Sequence, residues 1–466
     1  ASTETQSPRP EVLVTPLVQS VPSQAGSDTS PLGQAVPNQQ EALTPGTAYS
    51  QSYINPFRPG SSAGLGTDSG TGASPDAVTA EIDRSIAALR DQVAPTMQGG
   101  FGFRDRSGTS GLSRLDEYTV PLEATFSPAG VGRITLLATP ALLRAGSLGG
   151  NTYSQSQFGT GALGLRYNTS TFATSYVGAS PGNQHADGVG LDLAYQLNNL
   201  KADFGTTPIG FTETNVIGGV EWAPLITDRL RLRLTAERRA VDDSVLSYAG
   251  TTDSRTGLKW GGVTRTGGHA NLEFSAGKAN FYVGGGGGEL LGHHVANNTE
   301  LEFGAGTSFP VWHDEDKEVR TGLDLIYFGY SKNLGYFTYG QGGYFSPQSF
   351  FAALFPVTFK QKVDDDLSYE IGGAAGPQTF HENSSPLYPL DPNLMAALAA
   401  STVPGLSSYY AAQNETGLGF DVHAAIDYRV TPSLNVGAKI SYSHAGTYYE
   451  TNASVFARYV FNGADR

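Results

Sequence analysis

From about Met97 to Phe461 the chain alternates apolar and polar residues with a period of two, in short segments punctuated by Gly, Asn, Asp and Pro. A period of two puts successive side chains on opposite faces of an extended strand, whereas a helix would need 3.6. The clearest case is Arg229 to Arg239. There Leu230, Leu232, Leu234 and Ala236 share one face, and Arg229, Arg231, Arg233, Thr235, Glu237 and Arg239 share the other. The same alternation runs through Asp116 to Phe126, with Tyr118, Val120, Leu122, Ala124 and Phe126 opposite Glu117, Thr119, Glu123 and Thr125. It returns around Leu200 to Phe204, Ala270 to Phe274, Glu300 to Ala305, Leu418 to Arg429 and Val455 to Phe461. Roughly sixteen to eighteen such segments fit, about 20 to 23 residues apart, as long hairpins would space them.

Which way the apolar face points decides the fold class. In a soluble sandwich two apolar faces meet in a core about 10 Å thick, and one such domain rarely exceeds about 250 residues. Here antiparallel patterning continues for about 365 residues with no second linker. A large closed barrel accommodates both the length and the fixed charges, with apolar residues toward lipid and charged ones toward enclosed water. The expected fold is therefore all-β, a transmembrane antiparallel β-barrel of about sixteen strands. Its lipid face is diluted over alternate residues, in keeping with a slightly negative mean hydropathy and the lack of any apolar run long enough for a membrane helix.

Composition closes other routes. Only 15% of residues are charged, Gly reaches 59 and Cys is absent, which excludes disulfide scaffolds and Cys-ligated metals. A net charge of −14 would repel a polyphosphate, so nucleic acid is not an expected partner. The chain begins at Ala1, with neither an initiator Met nor a signal peptide, as a processed or excised segment would. Residues 1–73, rich in Pro, Ser and Gln, read as a disordered linker. Residues 74–95 read as a connector helix: Ser74 caps it, Pro75 opens it, Val78, Ile82, Ile86, Leu89 and Val93 form its stripe, and Pro95 closes it. The barrel takes 96–462 and a short tail 463–466.

Familiar chemical motifs find the wrong surroundings. Gly159 to Gly164 satisfies G-x-G-x-x-G but runs into a strand and not the helix that dinucleotide binding needs, and Gly60 to Gly64 places G-x-S-x-G inside the linker. His293-His294 and His313 to Asp316 read as solvated loop tips, Asp364 to Asp366 as a tight turn, and the five glycines Gly284 to Gly288 as a strand end or loop. No metal, cofactor or catalytic constellation is expected. The tract Gly335 to Gln348 is dense in Tyr, Phe, Gln and Gly. Aromatic faces stack on the C–H face of a pyranose while amides and hydroxyls exchange hydrogen bonds with it; aromatic residues equally form the girdle of a membrane barrel.

Gly111 to Glu117, Asp203 to Phe211, Lys259 to Val263, Gly340 to Gln348 and Tyr388 to Leu390 resemble, in order, the C-terminal domain of the bacterial cellulose synthase operon protein C family. The resemblance covers about Ala80 to Phe461. It implies a sixteen-stranded outer-membrane barrel that exports cellulose, entered from a periplasmic tetratricopeptide solenoid that links it to the inner-membrane synthase complex. The helix over 74–95 resembles the last solenoid helix, but residues 1–73 carry no helical repeat.

On this reading the chain is a cellulose export channel and not an enzyme, sited in the bacterial outer membrane with its N-terminal part in the periplasm. Its expected partners are a cellulose chain, outer-membrane lipid and, through an upstream repeat domain, the synthase complex. The lumen-facing residues expected to contact polymer are Glu117, Glu123, Lys201, Asp203, Arg231, Arg233, Glu237, Asn271, Glu273, Asp421, His423 and Asp427. Trp260, Tyr336, Tyr339, Tyr344 and Phe345 are candidate stacking aromatics. A general diffusion porin and a structural or adhesin barrel are the alternatives.

Overall fold

The computed structural model describes residues 94–445 and 448–461. The expected linker over 1–73, all but the last two residues of the expected helix over 74–95, and the tail 463–466 lie outside the described residues. Strand β1 (Thr96–Arg106) is followed by β2 (Leu115–Thr119) and β3 (Leu122–Phe126), one stave broken at Val120-Pro121, where proline cannot donate to the ladder. After β4 (Arg133–Ser147) a small hairpin, β5 (Leu165–Asn168) and β6 (Ala173–Tyr176), stands apart from the main sheet. The staves resume with β7 (Asn183–Leu197), β8 (Leu200–Ile209), β9 (Val216–Trp222) with its short continuation β10 (Leu225–Thr227), and β11 (Leu230–Ala240). Beyond the two-residue β12 (Thr251–Thr252) come β13 (Lys259–Ala276), β14 (Ala279–His293), β15 (Asn298–His313), β16 (Lys317–Tyr330), β17 (Ser349–Lys362) and β18 (Leu367–Glu382). A second minor pair, β19 (Ser385–Pro386) and β20 (Tyr409–Tyr410), precedes β21 (Gln413–Thr431), β22 (Leu434–Ala445) and β23 (Tyr448–Val460).

Every stave pairs antiparallel with its neighbour, and β1 pairs with β23 from Thr96↔Val460 to Arg106↔Glu450, closing a sixteen-strand barrel. Closure leaves no sheet edge in the apolar phase. The predicted orientation holds. Leu234, Leu272, Val283, Phe303, Phe355 and Ile371 stand exposed on the outside, while Arg233, on the opposite face from Leu234, is ion-paired to Glu221 and Glu273 of the neighbouring staves.

The two rims differ. Short turns such as 198–199, 277–278 and 432–433 share a rim with the start of β1 and the end of β23. The opposite rim carries long segments, 148–182, 241–258, 331–348 and 383–412. Parts of each fold into the barrel mouth, while the tip of the β5–β6 hairpin, with Phe172 81% exposed, stays outside it. The principal apolar core is therefore at one end of the barrel: Phe158, Leu246, Leu334, Phe337, Tyr344, Phe345, Leu387 and Tyr388 from the loops pack against inward residues near the long-loop ends of the staves, among them Trp260, Leu290, Phe328, Phe350 and Phe380.

Candidate functional site: the inner wall and the plug

Below the plug the inner wall is ionic, and its side chains lie along the wall. Tyr282 of β14 reaches over Gly306 of β15 and donates its hydroxyl to Asp324 of β16 at 2.6 Å. A Cβ at position 306 would stand 2.6 Å from that ring. Arg265 of β13 crosses β14 to donate to Glu300 and Glu302 of β15, and His269 Nδ1 lies 2.8 Å from Glu302. The strand that they cross is the glycine run. Gly284 to Gly288 lies in the middle of β14, not at a strand end or in a loop as the sequence suggested. A Cβ at 286 would come within 2.7 Å of His269 Nδ1, and one at 288 within 3.3 Å of Arg265 Cγ. Arg239 likewise passes Gly219 of β9 to bind Asp203 of β8, with its Nη2 at 2.6 Å from Oδ1. Glycine acts here as a saddle that lets long side chains tie staves that are not neighbours.

The residues proposed from the sequence as lumen-facing fall into separate clusters on this wall. Arg233 binds Glu221 at 2.7 Å and Glu273 at 2.8 Å; Lys201 reaches the same Glu221 at 3.7 Å, and Arg231 stands opposite Glu273 in register. Glu237 meets Arg239 at 3.3 Å and His269 at 3.4 Å. Asn271, between Arg233 and Gly284 in register, is buried. Farther round, His423 lies 3.3 Å from Glu370 and 3.6 Å from Asp421, and half-buried Asp427 stands opposite Ser368. Glu123 accepts from Thr125 at 2.9 Å. Glu117 belongs to a different assembly, the latch beneath the plug.

That latch joins β1 to the loops. Arg104 donates to Asp242 at 2.9 Å and to Glu450 at 3.1 Å, with Glu117 at 3.4 Å. Arg106, 1% exposed, binds Asp243 at 2.6 Å. The other Asp243 oxygen accepts the Phe345 amide at 2.9 Å, and Ser244 both caps the one-turn helix α1 (Val245–Ala249) and donates to the Gly343 carbonyl at 2.8 Å. Asp242, in the loop, is pushed up to about 7, by burial first and against the pull of Arg104. Further bonds join the remaining loops: Gln341 donates to the Pro386 carbonyl at 2.7 Å, and the Tyr339 amide donates to Gly159 at 3.0 Å. The plug is thus one hydrogen-bonded unit.

Four of the candidate stacking aromatics lie inside it, and Trp260, near the start of β13, packs against it; none is more than 8% exposed. Trp260 packs edge-on against Phe158 and Tyr339, Phe345 edge-on against Phe380, and Tyr344 edge-on against Tyr330. Tyr336 is stacked on Tyr410 of β20. In this closed arrangement Trp260 and Tyr339 face each other and the other three face further buried or half-buried rings, away from both lipid and open water. Sequence reasoning missed Arg104, Arg106, Asp242, Asp243, Arg265, Glu300 and Glu302. Of these only Glu300 and Glu302 sat in a recognised alternating segment; the aspartates follow Ala240 in a stretch with no period, and what they meet depends on loop conformation.

A closed barrel with an apolar exterior and an ionic, cross-tied interior is a transmembrane β-barrel of the outer-membrane type. Residues 113–462 match the family described as "Cellulose synthase operon protein C C-terminus", and the chain belongs to that family. It is 40% identical over 387 residues, 82% of its length, to "Cellulose synthase 2 operon protein C" of Komagataeibacter xylinus, and 38% identical over 397 residues, 83% of its length, to a "Cellulose synthase operon protein C" of the same organism. It spans 28% and 30% of those two relatives. Among solved structures, a "Bacterial polysaccharide outer membrane secretin" superposes with a TM-score of 0.49 at 10% identity, over 79% of this chain and 99% of its own.

Proposed function

We propose that this chain is the outer-membrane conduit through which cellulose leaves the cell, and that it carries no catalytic activity of its own. The observation that carries this reading is an ionic wall enclosed by an apolar exterior, in a chain whose relatives are named for a cellulose synthase operon. A β-1,4-glucan is uncharged and rich in hydroxyls. Conduction needs contacts weak and numerous enough for the chain to leave, and a wall whose ions are engaged with one another offers polar contact without a deep trap. The expected polymer contacts are the wall residues Lys201, Asp203, Arg231, Arg233, Glu237, Asn271, Glu273, Asp421, His423 and Asp427, with Glu123 near the short-turn rim. That rim is the periplasmic entrance on this reading, fed by a repeat domain upstream that meets the synthase complex.

The plug is then the closed gate. The loops must part for polymer to pass, which counts against a permanently open diffusion porin. Deleting residues 97–461 in a cellulose-making host is expected to leave glucan trapped in the periplasm. Undiminished secretion would overturn the reading.

A further inference from the structure

The Tyr336–Tyr410 stack differs from every other ring contact in the plug. Its centroids are 3.5 Å apart and its planes 4° from parallel, a face-to-face sandwich, which is the arrangement that aromatic quadrupoles favour least. Tyr336 is 1% exposed. Tyr410, which covers it, is half-buried and follows Tyr409, itself exposed, so the stack stands about one ring below the outer surface. The Tyr410 hydroxyl reaches Thr338 Oγ1 at 3.2 Å, and the Gln413 amide donates to the Tyr336 hydroxyl at 3.5 Å. Directly across the ladder from Gln413 is Glu382. Its side chain is 0% exposed, yet neither carboxylate oxygen has a hydrogen-bond partner among the described residues. Glu382 is close enough to Tyr336 that, after burial, its charge is the next cause holding that phenol up at about 12.

A buried carboxylate left without donors is costly unless something supplies them. A β-glucosyl unit supplies both missing parts. Its electropositive C–H face suits the π face of Tyr336 better than a second electron-rich ring does, and its vicinal equatorial hydroxyls match the two oxygens of a carboxylate. We propose that the Tyr336 face, with Glu382 and Gln413, is a subsite for one glucosyl unit of the outgoing chain, and that Tyr410 occupies that platform while the plug is closed. The proposal rests on the export reading and extends it: polymer displaces Tyr410, and the freed ring becomes one of the last contacts before the chain leaves the opened mouth.

The test uses the full-length protein in detergent micelles, with heat-modifiable gel migration confirming a folded barrel for each variant. Cellohexaose is titrated by calorimetry, with maltohexaose as the α-linked comparison. Tyr410→Ala is expected to bind cellohexaose about tenfold more tightly than the wild type, whereas Tyr410→Phe, which keeps a covering ring, is expected to stay near it. Adding Tyr336→Ala or Glu382→Gln to Tyr410→Ala should remove the gain. A Tyr410→Ala variant that binds no better than wild type, a gain that survives loss of the Tyr336 ring, or an equal gain for maltohexaose overturns the subsite. Glucan secretion is scored in parallel in the deletion host. Wild-type rescue with no Tyr410→Ala gain removes the subsite and leaves export standing; failure of the wild-type gene to rescue removes export itself.

Discussion

A side chain at position 286 would put its Cβ 2.6 Å from the Gly268 carbonyl and 2.7 Å from His269 Nδ1, so backbone as well as side chain would have to shift. Gly286→Val is therefore expected to destabilise the barrel by about 1 to 3 kcal/mol, the usual cost of overpacking, and to lower the temperature at which it loses its compact gel mobility. Gly417→Ala, where an added Cβ meets nothing within 4 Å, should leave that temperature unchanged. Outside the barrel the sign of the environment reverses. Val283 is 56% exposed on the lipid face, and Val283→Arg should cost about 2 to 4 kcal/mol if it lies near the bilayer midplane, read as reduced folding yield into bilayers. Neither glycine role was legible in the sequence. A run of five glycines says that side chains are missing; that Arg265 and His269 need the vacated space becomes visible only when β13, β14 and β15 lie side by side.

Among the elements, the staves were readable and the loops were not. Arg229 to Arg239 declares its two faces because a strand's period is fixed by backbone geometry. Asp242 and Asp243 declare nothing, since their partners Arg104 and Arg106 lie more than a hundred residues away in sequence. In the latch two guanidinium groups face four carboxylates, those of Glu117, Asp242, Asp243 and Glu450. Burial first, and the excess of negative charge after it, favour a proton against the pull of Arg104, and the folded value of Asp242, about 7, is above the ordinary value of about 3.9. A raised acid stabilises the docked loop fully below its unfolded pKa, and that contribution is lost as pH rises through about 7. Conductance of the full-length protein in planar bilayers should therefore increase between about pH 5 and about pH 8 as the latch loosens. Asp242→Asn, neutral throughout, should hold the low-conductance state across that range. A pH response unchanged in that variant would show that the latch does not govern closure.

For the whole molecule, alternation and length gave the closed barrel and its orientation, because a long two-faced sheet has few ways to satisfy its backbone. They did not give the filled mouth. Gly335 to Gln348 read as either a sugar surface or a girdle, and the tract supplies much of the plug's centre. If export is the function, the plug and the wall contribute differently: restoring the deletion host with Tyr336→Ala should slow secretion while barrel heat-stability stays within a few degrees of wild type. Equal secretion would confine Tyr336 to packing within the closed plug. The cross-ties have one more consequence. Tyr282, Arg265 and Arg239 lie flat because glycine lets them, so a moving polymer would meet a surface of low corrugation, with fixed dipoles repeated at strand spacing. Friction along such a surface is small and nearly uniform, and the pace of transit would then be set by whatever pushes the polymer from behind.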